Sequence, residues 1–258
     1  MDEIDETRVK LNDFSFTHNG IGFTITIPVY SDVKAILWDN TPYQEQEISR
    51  YYLDYLKNTL QRKYLNELLE KILGFATNQN DLARIAISLV QRIPYDTDKV
   101  TYDLKYNPYA KIRYPYEVIF DNKGICCEKS LLLAFLLKEL GFGVVLFIFH
   151  DENHMAMGIQ SPSEFGNYHT RYAFVETTVP SIITDTQGTY IESNRLGIFR
   201  CKLKSNPTVI HLCEGNSFTG VYVEFHDAKE WNELNEKYHY EEGYYFKRRL
   251  SLIRKYGF

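Results

Sequence analysis

Residues 127–140 would carry apolar side chains almost all the way round a helix, with Leu131, Leu132, Leu133, Ala134, Phe135, Leu136 and Leu137 in unbroken succession. A helix that is apolar on every face has to be covered on every face. Gly141 and Gly143 end the run, and residues 144–149 follow as a second continuous apolar stretch, now of strand length. A buried helix leading into a buried strand needs further layers on both sides, so the chain is expected to be a layered α+β protein.

The surrounding sequence offers those layers. Apolar and polar residues alternate from Phe14 to Ile27 on either side of Asn19-Gly20, the strongest short signal for a hairpin. Thr41-Pro42-Tyr43-Gln44 resembles a helix start, with a capping residue and a proline at the first helical position. Ile48, Tyr51, Tyr52, Tyr55, Leu56, Leu60, Leu65, Leu68, Leu69 and Ile72 then recur at helical spacing, predicting one long helix or two with a break, stopped at Gly74. A further helix is expected from about Asn80, carrying Ile85, Ala86, Leu89 and Val90 inward and ending at Pro94. Residues 95–116 show no period and are expected as a long loop. Strands are predicted at 154–160, 172–177, 208–212 and 220–225, and a helix with a basic end from Ala228 onward.

Composition narrows the function classes. The 258 residues carry a formal net charge of −5, which argues against a protein that coats nucleic acid or anionic membrane. No stretch approaches the roughly 20 apolar residues that span a bilayer, and the acidic start Met1-Asp2-Glu3-Ile4-Asp5-Glu6 lacks the regions of a secretory signal. A cytoplasmic protein is expected, with Cys126, Cys127, Cys201 and Cys213 kept as thiols. No Cys-x2-Cys pair and no glycine-rich phosphate loop occurs, so neither a metal nor a cofactor is expected. The basic C-terminal stretch reads as a solvated amphipathic helix.

Three residues in order suggest chemistry: Cys126 at the start of the buried helix, His154 opening a strand, and Glu176 in the next strand. A thiol attacks as thiolate, and both a helix N-terminus and a neighbouring imidazolium favour that form. The imidazole takes the thiol proton and returns it to the leaving group, while a carboxylate on its other nitrogen fixes the tautomer. His150 is the nearest alternative to His154. For the oxyanion, the Cys126 backbone N–H is the natural donor. Gln91 and Tyr95 are candidate side-chain donors, although ordinary polar surface is the simpler account of both.

The words around these residues say more. Gly124-Ile125-Cys126-Cys127-Glu128-Lys129-Ser130-Leu131-Leu132, preceded by Pro115-Tyr116-Glu117, resembles the core motif of the transglutaminase-like superfamily, a Gly-Asp-Cys turn entering the central helix after a Pro-x-Glu element. Asn153-His154-Met155-Ala156-Met157-Gly158-Ile159 resembles its histidine strand, and Tyr172-Ala173-Phe174-Val175-Glu176-Thr177-Thr178 its acid strand. The likeness covers about residues 80–180 and aligns Cys126, rather than Cys127, with the nucleophile. Three departures stand out. Ile125 replaces the usual Asp, Glu176 stands where Asp is commoner, and Met155 and Ala156 replace an aromatic residue that often follows the histidine.

The resemblance implies a papain-like, transglutaminase-like α+β core with a Cys126, His154 and Glu176 triad. It implies acyl transfer from amide bonds through a thioester on Cys126. Expected boundaries are 1–78 for an N-terminal hairpin and helical extension, 79–226 for the catalytic core and 227–258 for a C-terminal helical extension. Hydrolysis, as in a peptidase or amidase, is favoured over transamidation, because water has the advantage unless the site excludes it. A protein or peptide substrate is expected, with no nucleic acid and no membrane as partner. The alternative is a catalytically idle member of the fold that serves as a protein-binding module.

Overall fold

A computed structural model describes residues 4–5, 7–42, 47–106, 111–194, 197–236 and 243–258. Strands β1 (Val9–His18) and β2 (Ile21–Tyr30) pair antiparallel across Asn19-Gly20, both at positive φ (51° and 77°), the conformation that a two-residue hairpin turn needs. Phe14, Phe16, Ile25 and Ile27 point inward, as the alternation requires. Asn12 shares that inward face, and its amide donates to the Ile119 and Phe120 carbonyls, 2.8 Å each.

Helix α1 (Ser31–Asp39) was not foreseen in the sequence. The long periodic run divides into α2 (Ile48–Lys57) and α3 (Thr59–Phe75). The break falls at Asn58, whose extended backbone frees its side chain to accept the Gln61 N–H at 3.2 Å and start a new helix. Tyr43 and Gln44 of the expected helix start lie outside the described residues. Helix α4 (Gln79–Arg92) runs as predicted, capped by Asn78 and stopped before Pro94.

The expected loop over 95–116 is corrected: it contains α5 (Thr97–Tyr106), and α6 (Pro115–Asp121) begins at its end. Local capping rather than periodicity starts both. Asp96 accepts the Lys99 N–H at 3.1 Å, and Glu117 accepts the Tyr114 N–H at 2.8 Å behind Pro115. Residues 107–110 of that stretch lie outside the described residues.

Helix α7 (Cys126–Glu139) sits at the centre. Its Leu131 to Leu137 join β1, α3, α4 and one sheet face in a single hydrophobic cluster with Phe14, Leu65, Leu89, Leu146 and Met157. Each such side chain fully removed from water contributes roughly 1.5–3 kcal/mol. The sheet is antiparallel, in the order β5 (Tyr172–Val175), β4 (His154–Gln160), β3 (Val144–Phe149), β8 (Thr208–Cys213). Its other face packs a smaller cluster around Phe147, Phe149 and Phe174, which is why β3 is apolar at every position. Gly158 is needed there: a Cβ on it would come within 2.7 Å of the Phe147 ring.

Two further differences from expectation follow β5. A separate hairpin, β6 (Thr189–Asn194) with β7 (Gly197–Lys202), precedes β8. The strand expected at 220–225 is instead the first turn of α8 (Val221–Glu236). Val221, Glu224 and Ala228 turn inward at helical spacing, and Arg84 holds Glu224 through a 2.6 Å ion pair that an alternating strand would not present in this way. Helix α9 (Tyr244–Tyr256) carries the basic end of the predicted C-terminal helix, and residues 237–242 between the two lie outside the described residues. No described helix is long and apolar enough to cross a membrane.

Candidate active site

Cys126 is the first residue of α7, with its backbone N–H at the helix start and its side chain half-buried. His154 opens β4, and Glu176 follows the last residue of β5. Met157 of β4 pairs with Val175 of β5, so His154 and Glu176 emerge at the same end of adjacent strands, the end that meets the start of α7. The fold thus brings all three predicted residues together.

The His154 Nε2 lies 2.9 Å from Glu176 Oε2, with both side chains buried. Cys126 acts on the same imidazole, which with Nε2 engaged has Nδ1 left for it. Glu176 Oε1 accepts from the Thr177 N–H at 2.9 Å, the Thr178 N–H at 2.7 Å and the Thr178 hydroxyl at 2.6 Å. A buried carboxylate with four donors is a fixed acceptor.

Charge states follow from these contacts. Burial penalises the Glu176 anion, but the His154 charge and the Thr178 donors outweigh it and hold the carboxyl below its usual range. Burial likewise opposes a charged His154, and Glu176 and Cys126 overcome it, pushing its pKa up to about 10. The Cys126 thiol is pulled well below its ordinary value by the Cys127 thiol that donates to it, and, against burial, by His154. Cys127 is driven the other way by that same bond and by burial, so it keeps its proton. These shifts all favour the charged forms, a Cys126 thiolate beside a His154 imidazolium and a Glu176 carboxylate.

Aromatic cover comes from an unexpected place. The Tyr190 ring of β6 lies 4.2 Å from the His154 ring and is buried. Its neighbour Ile191 donates its N–H to Thr178 Oγ1 at 3.0 Å, so the β6–β7 hairpin is tied through Thr178 to Glu176. No sequence signal linked the segment around 190 to the histidine.

The remaining candidates separate. Gln91 donates to the Glu176 and Ser181 carbonyls (2.9 and 3.0 Å) and is a brace behind the acid. Tyr95 instead lines the same cleft as Cys126. His150 is exposed and bonded to Thr208 Oγ1 at 3.1 Å, on the wall of the cleft that Cys126 and His154 share.

Three consecutive polar residues on the otherwise apolar α7 anchor its first turn. Glu128 accepts from Lys99 Nζ (2.6 Å), Arg113 (3.0 Å) and the Ile125 N–H (3.1 Å). Lys129 reaches backbone carbonyls beneath the helix, and Ser130 donates to the Met155 carbonyl at 3.1 Å. All three are buried, and none was singled out in the sequence beyond its place in the motif. Their signal was charge within an apolar helix.

Cys126 and His154 face a cleft of about 430 Å³, at the smaller end of the usual size for a ligand site. Tyr52, Val100, Ile112, Ile125, Ile148 and Met155 make its walls mainly apolar. A cavity of about 210 Å³ on the far side of Gln91 does not reach the triad. Among the described residues, no group of three or more His, Cys, Asp or Glu side chains is placed to hold a metal ion.

With this geometry in view, residues 63–161 match the family described as a transglutaminase-like domain, which supports the likeness to that superfamily and the α+β fold. The match takes in Cys126 and His154 and stops before Glu176. No curated protein and no solved structure matches the chain.

Proposed function

We propose that this protein is a cysteine-dependent acyl-transfer enzyme that hydrolyses amide bonds through a thioester on Cys126. The observation that carries the proposal is the buried His154–Glu176 pair, 2.9 Å apart, with its imidazole beside a cysteine at a helix start. Such an arrangement makes a nucleophile near neutral pH and stores the proton needed later for the leaving group.

The steps follow from the atoms present. Cys126 Sγ attacks the amide carbon, and negative charge moves to the carbonyl oxygen. The Cys126 N–H, at the start of α7, and the Tyr95 hydroxyl, in the same cleft, are the proposed donors to it. The His154 imidazolium protonates the departing amine, the C–N bond breaks, and a thioester remains. Neutral His154 then takes a proton from water as the water attacks the thioester, and the acid product leaves with Cys126 again a thiolate. Glu176 keeps the imidazole turned correctly and stabilises its charged form. Water is preferred to an amine as acceptor because the cleft opens to solvent.

The test is hydrolysis of a pool of synthetic peptides and peptide amides, followed by mass spectrometry, with and without methylamine. Free-acid products from wild type, none from Cys126→Ala or His154→Ala, and few methylamides are expected. Equal product from wild type and Cys126→Ala overturns the proposal. Methylamides in large excess would replace hydrolysis by transamidation.

A further inference from the structure

Lys129 lies one turn after Cys126 on α7 and is completely buried. Its Nζ donates to the carbonyls of Ile93 (2.6 Å), Gln91 (3.3 Å) and Thr178 (3.4 Å). Two of these acceptors belong to the end of α4, and the third lies two residues beyond Glu176. One ammonium therefore joins the helix of the nucleophile, the end of a second helix and the segment of the acid. Its stem is confined as well: a Cβ on Gly124 would come within 3.3 Å of Lys129 Cγ, so the glycine before Ile125 leaves the lysine room.

A buried lysine is costly unless something local uses its charge. The titratable groups around Cys126 and Lys129 are Cys127 and Glu128 on α7, His154 on β4, Glu176 after β5, Tyr95 after α4, Tyr52 on α2 and Lys99 on α5. Glu128 is matched by Lys99 and Arg113. Burial keeps Tyr52 and Tyr95 protonated, and Cys127 keeps its proton through its bond to Cys126. The Cys126 thiol and the Glu176 carboxylate flank one imidazole, and Lys129 is a further buried cation held beside them through the Thr178 carbonyl.

We infer that Lys129 is a positioning residue of the catalytic centre: it fixes the Glu176 segment to the nucleophile helix, and its ammonium balances the thiolate–carboxylate pair. This rests on the triad proposed above. Burial pulls its pKa down and the charges of Glu176 and Cys126 pull it up, which leaves it at about 7. Its protonation is thereby linked to that of Cys126, and the linkage must run in both directions.

The experiment is iodoacetamide labelling of Cys126 against pH in wild type, Lys129→Met and His154→Ala, with folding checked by circular dichroism. Methionine keeps the stem and removes the charge. In Lys129→Met the labelling midpoint is expected to rise by about one pH unit, so labelling in the acid limb slows about tenfold. A merely structural lysine would lower thermal stability and leave the midpoint in place. Should Lys129→Met fail to fold, wild type supplies the reciprocal reading: the one lysine side-chain resonance with a depressed midpoint is followed by NMR before and after Cys126 is carbamidomethylated. Removing the thiolate is expected to lower that midpoint further. An unmoved midpoint in either measurement overturns the assignment of Lys129 alone, provided His154→Ala changes the labelling. If His154→Ala changes nothing either, the triad has failed and the assignment falls with it.

Discussion

Thr178 Oγ1 donates to Glu176 Oε1 at 2.6 Å and accepts the Ile191 N–H at 3.0 Å, so a single hydroxyl couples the carboxylate behind His154 to the hairpin that covers it. Glu176 is therefore oriented from two sides, by its own following residues and by β6. The consequences can be measured separately for the acid, the cover, the hydroxyl and the oxyanion donor.

Glu176→Gln keeps the size of the side chain and removes its charge. The amide would donate to His154 Nε2 and leave the proton on the nitrogen that faces Cys126, the wrong tautomer for a base. Loss of activity on the order of 10²–10⁴-fold is expected. The alkaline limit of hydrolysis, which needs the imidazolium as acid, should also fall from about pH 10 toward the ordinary histidine range.

Stability should carry the same signature. His154 has a folded-state pKa raised to about 10 from an ordinary 6.5, so its contribution is fully present below about pH 6.5 and is lost as the pH rises through about 10. Glu176 is depressed, so its contribution is present above the ordinary carboxylate range and is lost on acidification. Urea midpoints should therefore fall between pH 7 and 10 in wild type more steeply than in His154→Ala.

Tyr190→Ala removes a buried ring that lies against the imidazole. A loss of roughly 3 kcal/mol is expected from the cavity alone. Water reaching the His154–Glu176 pair should weaken their interaction and lower the alkaline limit as well. A stability loss with no change in the pH profile would make Tyr190 a packing residue only.

Thr178→Val is nearly isosteric. It strips one donor from Glu176 and leaves the Ile191 N–H without its partner, costing about 1–3 kcal/mol. Hydrogen exchange should accelerate at Ile191 and its neighbours in β6, with little change in β1 and β2.

Tyr95→Phe separates oxyanion binding from nucleophile formation. Peptide hydrolysis should fall on the order of 10²–10³-fold, while iodoacetamide labelling of Cys126, which forms no oxyanion, stays near the wild-type rate. Equal loss in both assays would give Tyr95 a role in holding the thiolate instead.

Much of this site was legible because its signals are local. Asn19-Gly20 made the hairpin, the apolar runs gave α7 and β3, and the motif around Cys126 and the position of His154 pointed to three candidate residues that the fold brings together. What stayed hidden depends on long-range contacts. Val221 and Val223 alternate like a strand, and only the pairing of Arg84 with Glu224, 140 residues apart, shows which faces of that segment turn inward. Helix α5 rests on the cap at Asp96 more than on any apolar period. Tyr190 replaces from a distant hairpin the aromatic residue missing after His154, and no spacing rule connects positions 154 and 190. Gln91 and Tyr95, side by side in the sequence as polar candidates, were separated only by the carbonyls that Gln91 meets and the cleft that Tyr95 lines.

The most direct measurement is the pH dependence of iodoacetamide labelling, with the modified cysteine located by mass spectrometry, in wild type and His154→Ala. A thiolate–imidazolium pair predicts rapid labelling of Cys126 below about pH 7, slow labelling of Cys127, and a marked slowing at Cys126 when His154 is removed. Slow and equal labelling of Cys126 in both proteins, rising only above the ordinary thiol range, would contradict the account.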